Sequence, residues 1–497
     1  MSTLATTTLE QYFAPYREKV IGSRQSFETA YGTKPLIYAD WTASGRLYQP
    51  IEELFMQQIA PFVGNTHTET TVTGSAMTTA YHHARQLIKR HCGAQDTDVL
   101  IAAYSGMTGV VNKFQRILGL KLHERFRGQV SIAADQRPIV LVSHMEHHSN
   151  QTSWLETIAD VEVIPPDEQG LPDLSQLDRL LEKYRHRPLK IAAITSCSNV
   201  TGIFTPYHEV AERMHLAGGY CFVDFACSAP YIDIVMRPAD NPLQRLDAIY
   251  FSPHKFLGGP GSTGILIFDS ALYQNSVPDD PGGGTVDWTN PWGEHKYIDQ
   301  IEAREDGGTP AFLQTIRAAM AIRLKEQMGV SNILEREHAM LERIWQVFDT
   351  IPNLHVLAGQ HRDRLGVISF YIDDLHYNLG VSLLNDRFGV QVRGGCSCAG
   401  TYGHYLLNVD QAYSKSITSK INEGDSSDKP GWIRMSIHPV MTDDELDYVL
   451  DAIRQLAANH QLWRQDYMHV PRSNEYVHRS RFKPEQQLVE KWFSTAL

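Results

Sequence analysis

The stretch "YFSPHKFLGGPGSTGILIF", residues 250–268, sets one lysine, Lys255, between a histidine and a glycine-rich turn, with apolar runs on both sides. Lysine is rarely buried and sits badly in tight apolar company. Three readings compete. Lys255 snorkels at a sheet edge, its stem covered and its charge in water. It belongs to a phosphate-binding P-loop, which fails on order: a P-loop has its glycines before the lysine, and here they follow it. Or it is a Schiff-base lysine. An amine with an unperturbed pKa of about 10.4 becomes a nucleophile at neutral pH only where its site depresses that value, as an apolar strand end does.

Outward from Lys255, the chain alternates two periods. Short β-rich runs occur at "PIVLVS" (138–143), "VEVIP" (161–165), "KIAAITS" (190–196), "YCFVDF" (220–225), "AIYFS" (248–252) and "GILIFD" (264–269). Between them, "LSQLDRLLEKYRH" (174–186) and "YHEVAERMHLAGG" (207–219) have helical spacing, the second ending in glycines suited to a C-cap. This alternation predicts an α/β fold with a mostly parallel sheet covered on both faces. Ligands of such sheets sit at the carboxyl ends of the strands. From about residue 331 the pattern changes. A helix over 332–350, "RLGVISFYID" (364–373), a second helix, "VQVRGG" (390–395), "WIRMSIHP" (432–439) and a Thr442/Glu445 capping box before a long helix predict a smaller α+β domain. Residues 403–431 are polar, with "NEGDSSDKPG" as a loop. The expected organisation is an N-terminal segment (1–35) packing on the small domain, a large domain (36–330), a small domain (331–460) and an extension (461–497) without an assigned role.

A Schiff-base lysine holding an aromatic aldehyde phosphate needs companions. A ring nitrogen kept protonated needs an acid, and "FVDFACSAP" offers Asp224 at the end of an apolar run. A phosphate needs backbone N–H groups at a helix start. "AYSGMTGVVNKF" supplies Ser105, Gly106, Met107, Thr108 and Gly109. The ring needs a flat neighbour, His147 or His148 of "SHMEHHSN", and a phenolic oxygen needs a donor, Asn199 of "SCSNVTG". Each signal is weak alone: a strand-end Asp is more often a cap, and a histidine pair more often surface. Four apolar runs ending in the groups that pyridoxal 5'-phosphate (PLP) demands are a coherent set.

At these residues the chain resembles the class V aminotransferase family of fold-type I PLP enzymes, and within it the cysteine desulfurase and selenocysteine lyase branch. The resemblance runs from about Tyr38 to about Asn459. "SPHK" resembles the family's Ser-x-His-Lys, which implies Lys255 as the Schiff-base lysine with Ser252 and His254 on the phosphate beside Gly106, Met107 and Thr108. "EHHSN" implies His147 on the ring, "VDFA" implies Asp224, and "SNVTG" implies Asn199. "GGGTV" (282–286) implies Thr285 on the phosphate of a neighbouring subunit, hence a homodimer. "VQVRGGCSCAG" resembles the desulfurase Val-Arg-x-Gly-x-x-Cys and implies Cys398 as the sulfur-carrying nucleophile near Arg393. Arg434 falls where the family binds a substrate carboxylate, a task suited to a bidentate guanidinium. The implied reaction removes sulfur or selenium from a cysteine-like amino acid, leaving alanine and a persulfide on Cys398 for a possible protein acceptor. The chain departs from the family pattern at Cys227, where a glutamine is usual, and at Cys396, an extra thiol that either resolves the persulfide or has no role. Other expected outcomes on this scaffold are a C–S lyase, an aminotransferase or an epimerase, in which Cys398 is dispensable. More distant is a non-catalytic scaffold or metal-binding protein using His144, His147, His148 and the two thiols. No metal is expected, because four ligands are wanted and no second cysteine pair exists.

The bulk numbers fit an enzyme of this size. The 497 residues suggest about three domain-sized units, and 42% hydrophobic with 21% charged residues is ordinary for a soluble globular protein. A net charge of -12 argues against nucleic-acid and anionic-membrane partners. "MSTLATTTLEQYF" lacks the regions of a signal peptide, no apolar run approaches the roughly 20 residues of a membrane span, and six cysteines in this length are no disulfide framework. The expectation is a cytoplasmic protein with free thiols.

Overall fold

A computed structural model describes residues 8–66 and 68–495. The chain divides into two compact units. The larger comprises residues 44–198 and 203–330; the smaller comprises the chain up to Ala43, residues 199–202 and the chain from Ser331 onward.

The larger unit is built on seven strands: β1 (Val99–Ala103), β2 (Ile139–Ser143), β3 (Asp160–Ile164), β4 (Lys190–Thr195), β5 (Tyr220–Asp224), β6 (Ala248–Phe251) and β7 (Gly264–Phe268). Their order is β1-β7-β6-β5-β4-β2-β3. The β2–β3, β2–β4, β4–β5 and β5–β6 pairs are parallel, whereas β7 runs antiparallel to both neighbours. This is the expected α/β architecture. Six strands match the predicted runs; β1, "VLIAA", was not among them, although β-branched Val99 and Ile101 alternate in it and glycine-bearing turns flank it.

Alternate residues of each strand feed opposite layers of core, the two-residue period of a strand buried on both faces. Leu141, Ile194, Val223, Ile249 and Ile267 pack under Ile88, Val210, Met214 and Ile322. Val142, Ala193, Phe222, Tyr250 and Leu266 pack under Val110, Phe114 and Trp154. Each fully buried side chain of this size contributes about 1.5–3 kcal/mol. The helices therefore clamp the strands, and the strand ends are fixed points.

In the smaller unit, Leu354–Val356, Val367–Ile372, Trp432–Ser436 and Arg393–Gly395 form an antiparallel sheet in that order. The capping box predicted at Thr442 and Glu445 opens the helix Asp443–Trp463. Helix Leu9–Arg17 docks there: Arg17 pairs with Glu445, and Glu10 Oε1 accepts the Asp443 N–H at 2.8 Å. Ile37–Tyr38 pairs in parallel with Val390–Gln391. Much of 403–431, read as a polar stretch around a loop, is helical: Gly400–Leu406 and Gln411–Asn422, the second started by Asp410 Oδ1 accepting the Tyr413 N–H at 2.7 Å. The extension forms a hairpin, Tyr467–Val470 with Glu475–His478, and a helix, Pro484–Ser494. The hairpin is tied to helix Tyr377–Phe388 by Asn378 Nδ2 donating to Asn474 O (2.6 Å) and Tyr467 Oη donating to Asp386 (2.7 Å). Among the described residues, no helix is long and apolar enough to cross a membrane.

Candidate active site

In the larger unit, polar groups cluster at strand carboxyl ends. Asp224 closes β5 and is 3% exposed. Its side chain takes one hydrogen bond among the described residues, from the Ala226 N–H to Oδ1 at 2.8 Å. Burial pushes the carboxyl up to about 6, with the Lys255 charge working in the opposite direction. β6 runs into Ser252 and the tight turn Pro253–Lys255, which leaves Lys255 half-buried. Burial lowers His254 to about 4, and the neighbouring Lys255 charge adds to this, so its imidazole is neutral at pH 7.

β1 leads to helix Met107–Ile117, whose N-cap, Gly106, has no side chain with which to cap it. Its leading amides are therefore set for an anion. Met107 N–H meets Ser252 Oγ at 2.8 Å. A Cβ on Gly106 would stand 3.2 Å from that same oxygen, tighter than side chains normally pack. Glycine is what lets the helix start approach Ser252. Thr108 Oγ1 and Ser149 Oγ share a hydrogen bond of 2.7 Å.

β2 leads to His147, whose Nδ1 accepts the Ser149 N–H at 3.1 Å, which puts the ring proton on Nε2. Beneath it lies a group the sequence reading missed. Glu146 is fully buried and accepts from Ser143 Oγ (2.5 Å), Thr195 N–H (2.9 Å) and Asn150 Nδ2 (2.7 Å). Asn150 Oδ1 accepts in turn from Trp154 Nε1 and Tyr250 Oη. Burial pushes Glu146 up to about 8 against its three donors. One acid thus ties the ends of β2 and β4 to the helix behind His147. The letters "EHHSN" hold this signal, but a glutamate there reads as a surface residue. Cys227 is buried and its thiol donates to Ser198 O at 3.5 Å. Thr285 is buried, its hydroxyl donating to Gly282 O at 2.6 Å in its own loop.

The smaller unit carries the remaining residues. Four cysteines of the chain are buried; Cys396 is partly exposed and Cys398 exposed. Both thiols lie on a turn closed by Ala399 N–H to Cys396 O at 3.0 Å, with Ser397 at φ 51° and Cys398 at φ 56°. Such left-handed backbone at non-glycine residues costs about 1–3 kcal/mol each and persists only when its surroundings hold it. Here Ser397 O accepts Asn199 Nδ2 at 2.8 Å, and Ser397 Oγ accepts Trp432 Nε1 at 3.2 Å. The amide of Asn199, expected at a cofactor oxygen, serves this turn.

Arg393 and Arg434 stand directly opposite each other in strand register. Like charges opposed in this way repel, and Asp40 resolves the conflict. It pairs with Arg434 Nη2 at 2.8 Å and Arg393 Nη2 at 3.0 Å. Arg434 Nη1 donates to Asn199 O at 3.1 Å, and its buried Nε has no partner among the described residues. Asp40 was also missed. As for a metal, His144 Nε2 lies 3.2 Å from Gly170 O, and no three His, Cys, Asp or Glu side chains among the described residues are gathered as a metal site.

The chain as a whole is similar to known proteins. The chain is 26% identical over 369 residues to a probable cysteine desulfurase of Halalkalibacterium halodurans, covering 73% of this chain and 84% of that one. It is 28% identical over 376 residues to one of Staphylococcus epidermidis, covering 75% and 85%. Its fold matches the apo cysteine desulfurase of Thermococcus onnurineus NA1 with a TM-score of 0.70 at 20% identity, over 90% of this chain and 98% of that one. A cysteine desulfurase of Escherichia coli matches with a TM-score of 0.67 at 20% identity, over 89% and 98%. The model of the aminotransferase class-V family covers residues 37–449, and the chain belongs to that family.

Proposed function

We propose that the protein takes sulfur from a cysteine-type amino acid with the help of PLP, giving alanine and a persulfide on Cys398. The observation that carries this reading is the exposed thiol of Cys398 on a turn next to Arg393, in a chain whose relatives are named cysteine desulfurases.

The larger unit fits the cofactor. Asp224 is a buried acid with a single hydrogen bond among the described residues, as a partner for a protonated ring nitrogen should be. The helix start at Gly106, Met107 and Thr108, with Ser252 and His254, would cradle a phosphate. Lys255 would hold the aldehyde, and His147 and Cys227 would flank the ring. When bound, PLP supplies an electron sink for bond breaking at the substrate α-carbon.

The chain's own residues do the rest. Lys255 Nζ takes the α-proton as a general base. Arg434, with Arg393, orients the substrate carboxylate in place of part of its Asp40 contact. The Cys398 thiolate attacks the substrate sulfur. The new S–S bond forms as the C–S bond breaks; that electron pair stays on Cβ, which is protonated, and Lys255 returns the proton to Cα, so that alanine leaves. A second copy of the chain, presenting its 282–286 loop near Thr285, would complete the phosphate end. Six free thiols suit a reducing compartment such as the cytoplasm.

The test is product analysis. Purified enzyme given cysteine should yield alanine and sulfur in equal amounts, and Cys398→Ala should lose about 100-fold or more of both while keeping the visible absorbance of bound cofactor. Full sulfur release by Cys398→Ala would establish a lyase instead. Amination of a keto acid without alanine from cysteine would establish an aminotransferase.

A further inference from the structure

Cys396 and Cys398 are separated by one residue, and that tripeptide is bent into a turn. The hydrogen bond from Ala399 N–H to Cys396 O, with positive φ at both Ser397 and Cys398, has the pattern of a type I′ turn. Two Cα atoms with one residue between them are at most about 7.6 Å apart. A closed turn brings them toward the Cα separation of about 4.4–6.8 Å that disulfides use. Glycine or asparagine usually occupies such a turn, so the serine and cysteine found here are held by outside contacts: Asn199 on Ser397 O and Trp432 on Ser397 Oγ. The strand leading into the turn also has a fixed neighbour. The Tyr377 ring lies against Gly394, where a Cβ would stand 3.2 Å from Cδ2, and the Tyr377 Oη accepts from Asn474 Nδ2 at 3.0 Å. Asn474 belongs to the C-terminal hairpin, beyond the matched family region. The turn thus holds one exposed thiol and a second, partly covered thiol beside it.

We propose that Cys396 is the resolving thiol of Cys398. Once Cys398 carries a persulfide, the Cys396 thiolate attacks Cys398 Sγ. The persulfide S–S bond breaks, its electron pair leaves with the terminal sulfur as hydrosulfide, and a Cys396–Cys398 disulfide remains. The Cys396 sulfur is oxidised and the departing sulfur reduced, so no outside oxidant enters; the thiol protons leave with the hydrosulfide or to water. Two electrons from an external dithiol restore the pair by thiol–disulfide exchange. The inference rests on the desulfurase reading, which supplies the persulfide. It makes free sulfide the product and dithiol reduction the step that permits another turnover.

The experiment is a single turnover of the full-length holoenzyme with one equivalent of cysteine and no reductant, quenched with iodoacetamide. Alanine, sulfide and the peptide spanning both thiols are measured. Wild type should release sulfide in proportion to alanine and leave a peptide lighter by two hydrogens, with neither thiol alkylated. In Cys396→Ser, sulfide per alanine should fall by roughly ten-fold or more, with the persulfide retained on Cys398. Wild type that forms alanine but keeps its persulfide on Cys398, or moves it to Cys396, overturns the proposal. Absence of alanine overturns the desulfurase reading and the proposal with it. A diamide-treated sample then separates the causes: a 396–398 bridge places the fault in the substrate reading, and no bridge places it in the turn.

Discussion

The strand ends of the larger unit and the thiol turn of the smaller unit hold their key side chains by opposite means. Asp224 is 3% exposed, sits on a strand clamped by two layers of core and is pushed away from its ordinary pKa. Cys398 is exposed, follows a short edge strand and is kept in a costly backbone conformation by neighbours that grip Ser397 rather than the thiol. The difference matches the tasks proposed for them. An electron sink must meet a fixed acid and a fixed amine, so burial and rigidity serve it. A sulfur carrier must meet a substrate and then give its cargo up, so its side chain has to remain accessible.

If that contrast is right, the strand-end site should tolerate least. Lys255→Ala should abolish the visible absorbance of bound cofactor and lower alanine formation by about 10³-fold or more, since both the holding amine and the base are lost. A variant that keeps both signals would break the comparison at its rigid side.

Next in size is the ion cluster of the smaller unit. Asp40→Ala leaves Arg434, 3% exposed, without its carboxylate partner. Breaking a buried pair from one side costs about 3–5 kcal/mol. Denaturant unfolding should show that loss, and surviving activity should show a raised KM for cysteine, because Arg434 is no longer held. An unchanged midpoint would mean that the opposed arginines need no acid between them.

Much of this contrast was legible beforehand, unevenly. Asp224 was singled out because it ends an apolar run, and in a parallel sheet such a position is a strand carboxyl end; Ser252 came from the likeness of "SPHK" to the family motif. Cys398 was singled out by the likeness of "VQVRGGCSCAG" to the desulfurase motif, counted from Arg393. Glu146 was not, because sequence shows its charge but not its burial. Asp40 was missed for another reason: the like-charge conflict that it resolves exists only once Arg393 and Arg434 are in register, which no local pattern displays. The extension escaped because its hairpin is short and its fixing contacts, Asn474 on Tyr377 among them, are to residues far away in the chain.

Glu146 sharpens the rigid side further through pH. Its folded pKa of about 8 lies above the usual 4.5. A raised acid pKa means that the folded chain binds the proton more tightly than the unfolded one. The stability from this group is therefore fully present below the unfolded value and lost as pH rises through the folded one. The unfolding midpoint should fall between about pH 5 and about pH 9 for this reason. Glu146→Gln should flatten that fall and cost about 1–3 kcal/mol at low pH, because its amide faces the amide of Asn150. A wild-type midpoint that rises over the same window would mean that Glu146 is ionised in the folded chain.

The smallest effect should come at the other extreme of burial. Helix Pro484–Ser494 has no buried residue, and Leu488, Val489, Trp492 and Phe493 are all exposed. The hairpin just before it is different: Tyr467 is buried and bonded to Asp386, and Asn474 is buried and holds Tyr377. Ending the chain after Arg481 should therefore change the unfolding free energy by no more than about 0.5 kcal/mol, the range for surface changes away from packed features. It should also leave alanine formation unaltered. Ending it after Asp466 removes Asn474, the hydrogen-bond partner of the Tyr377 phenol, and should lower both stability and sulfide per alanine. The two truncations differ by fifteen residues, read here from Tyr467 to Arg481. If they behave alike, the hairpin does not support the thiol turn, and the turn's conformation must come from Ser397's contacts alone.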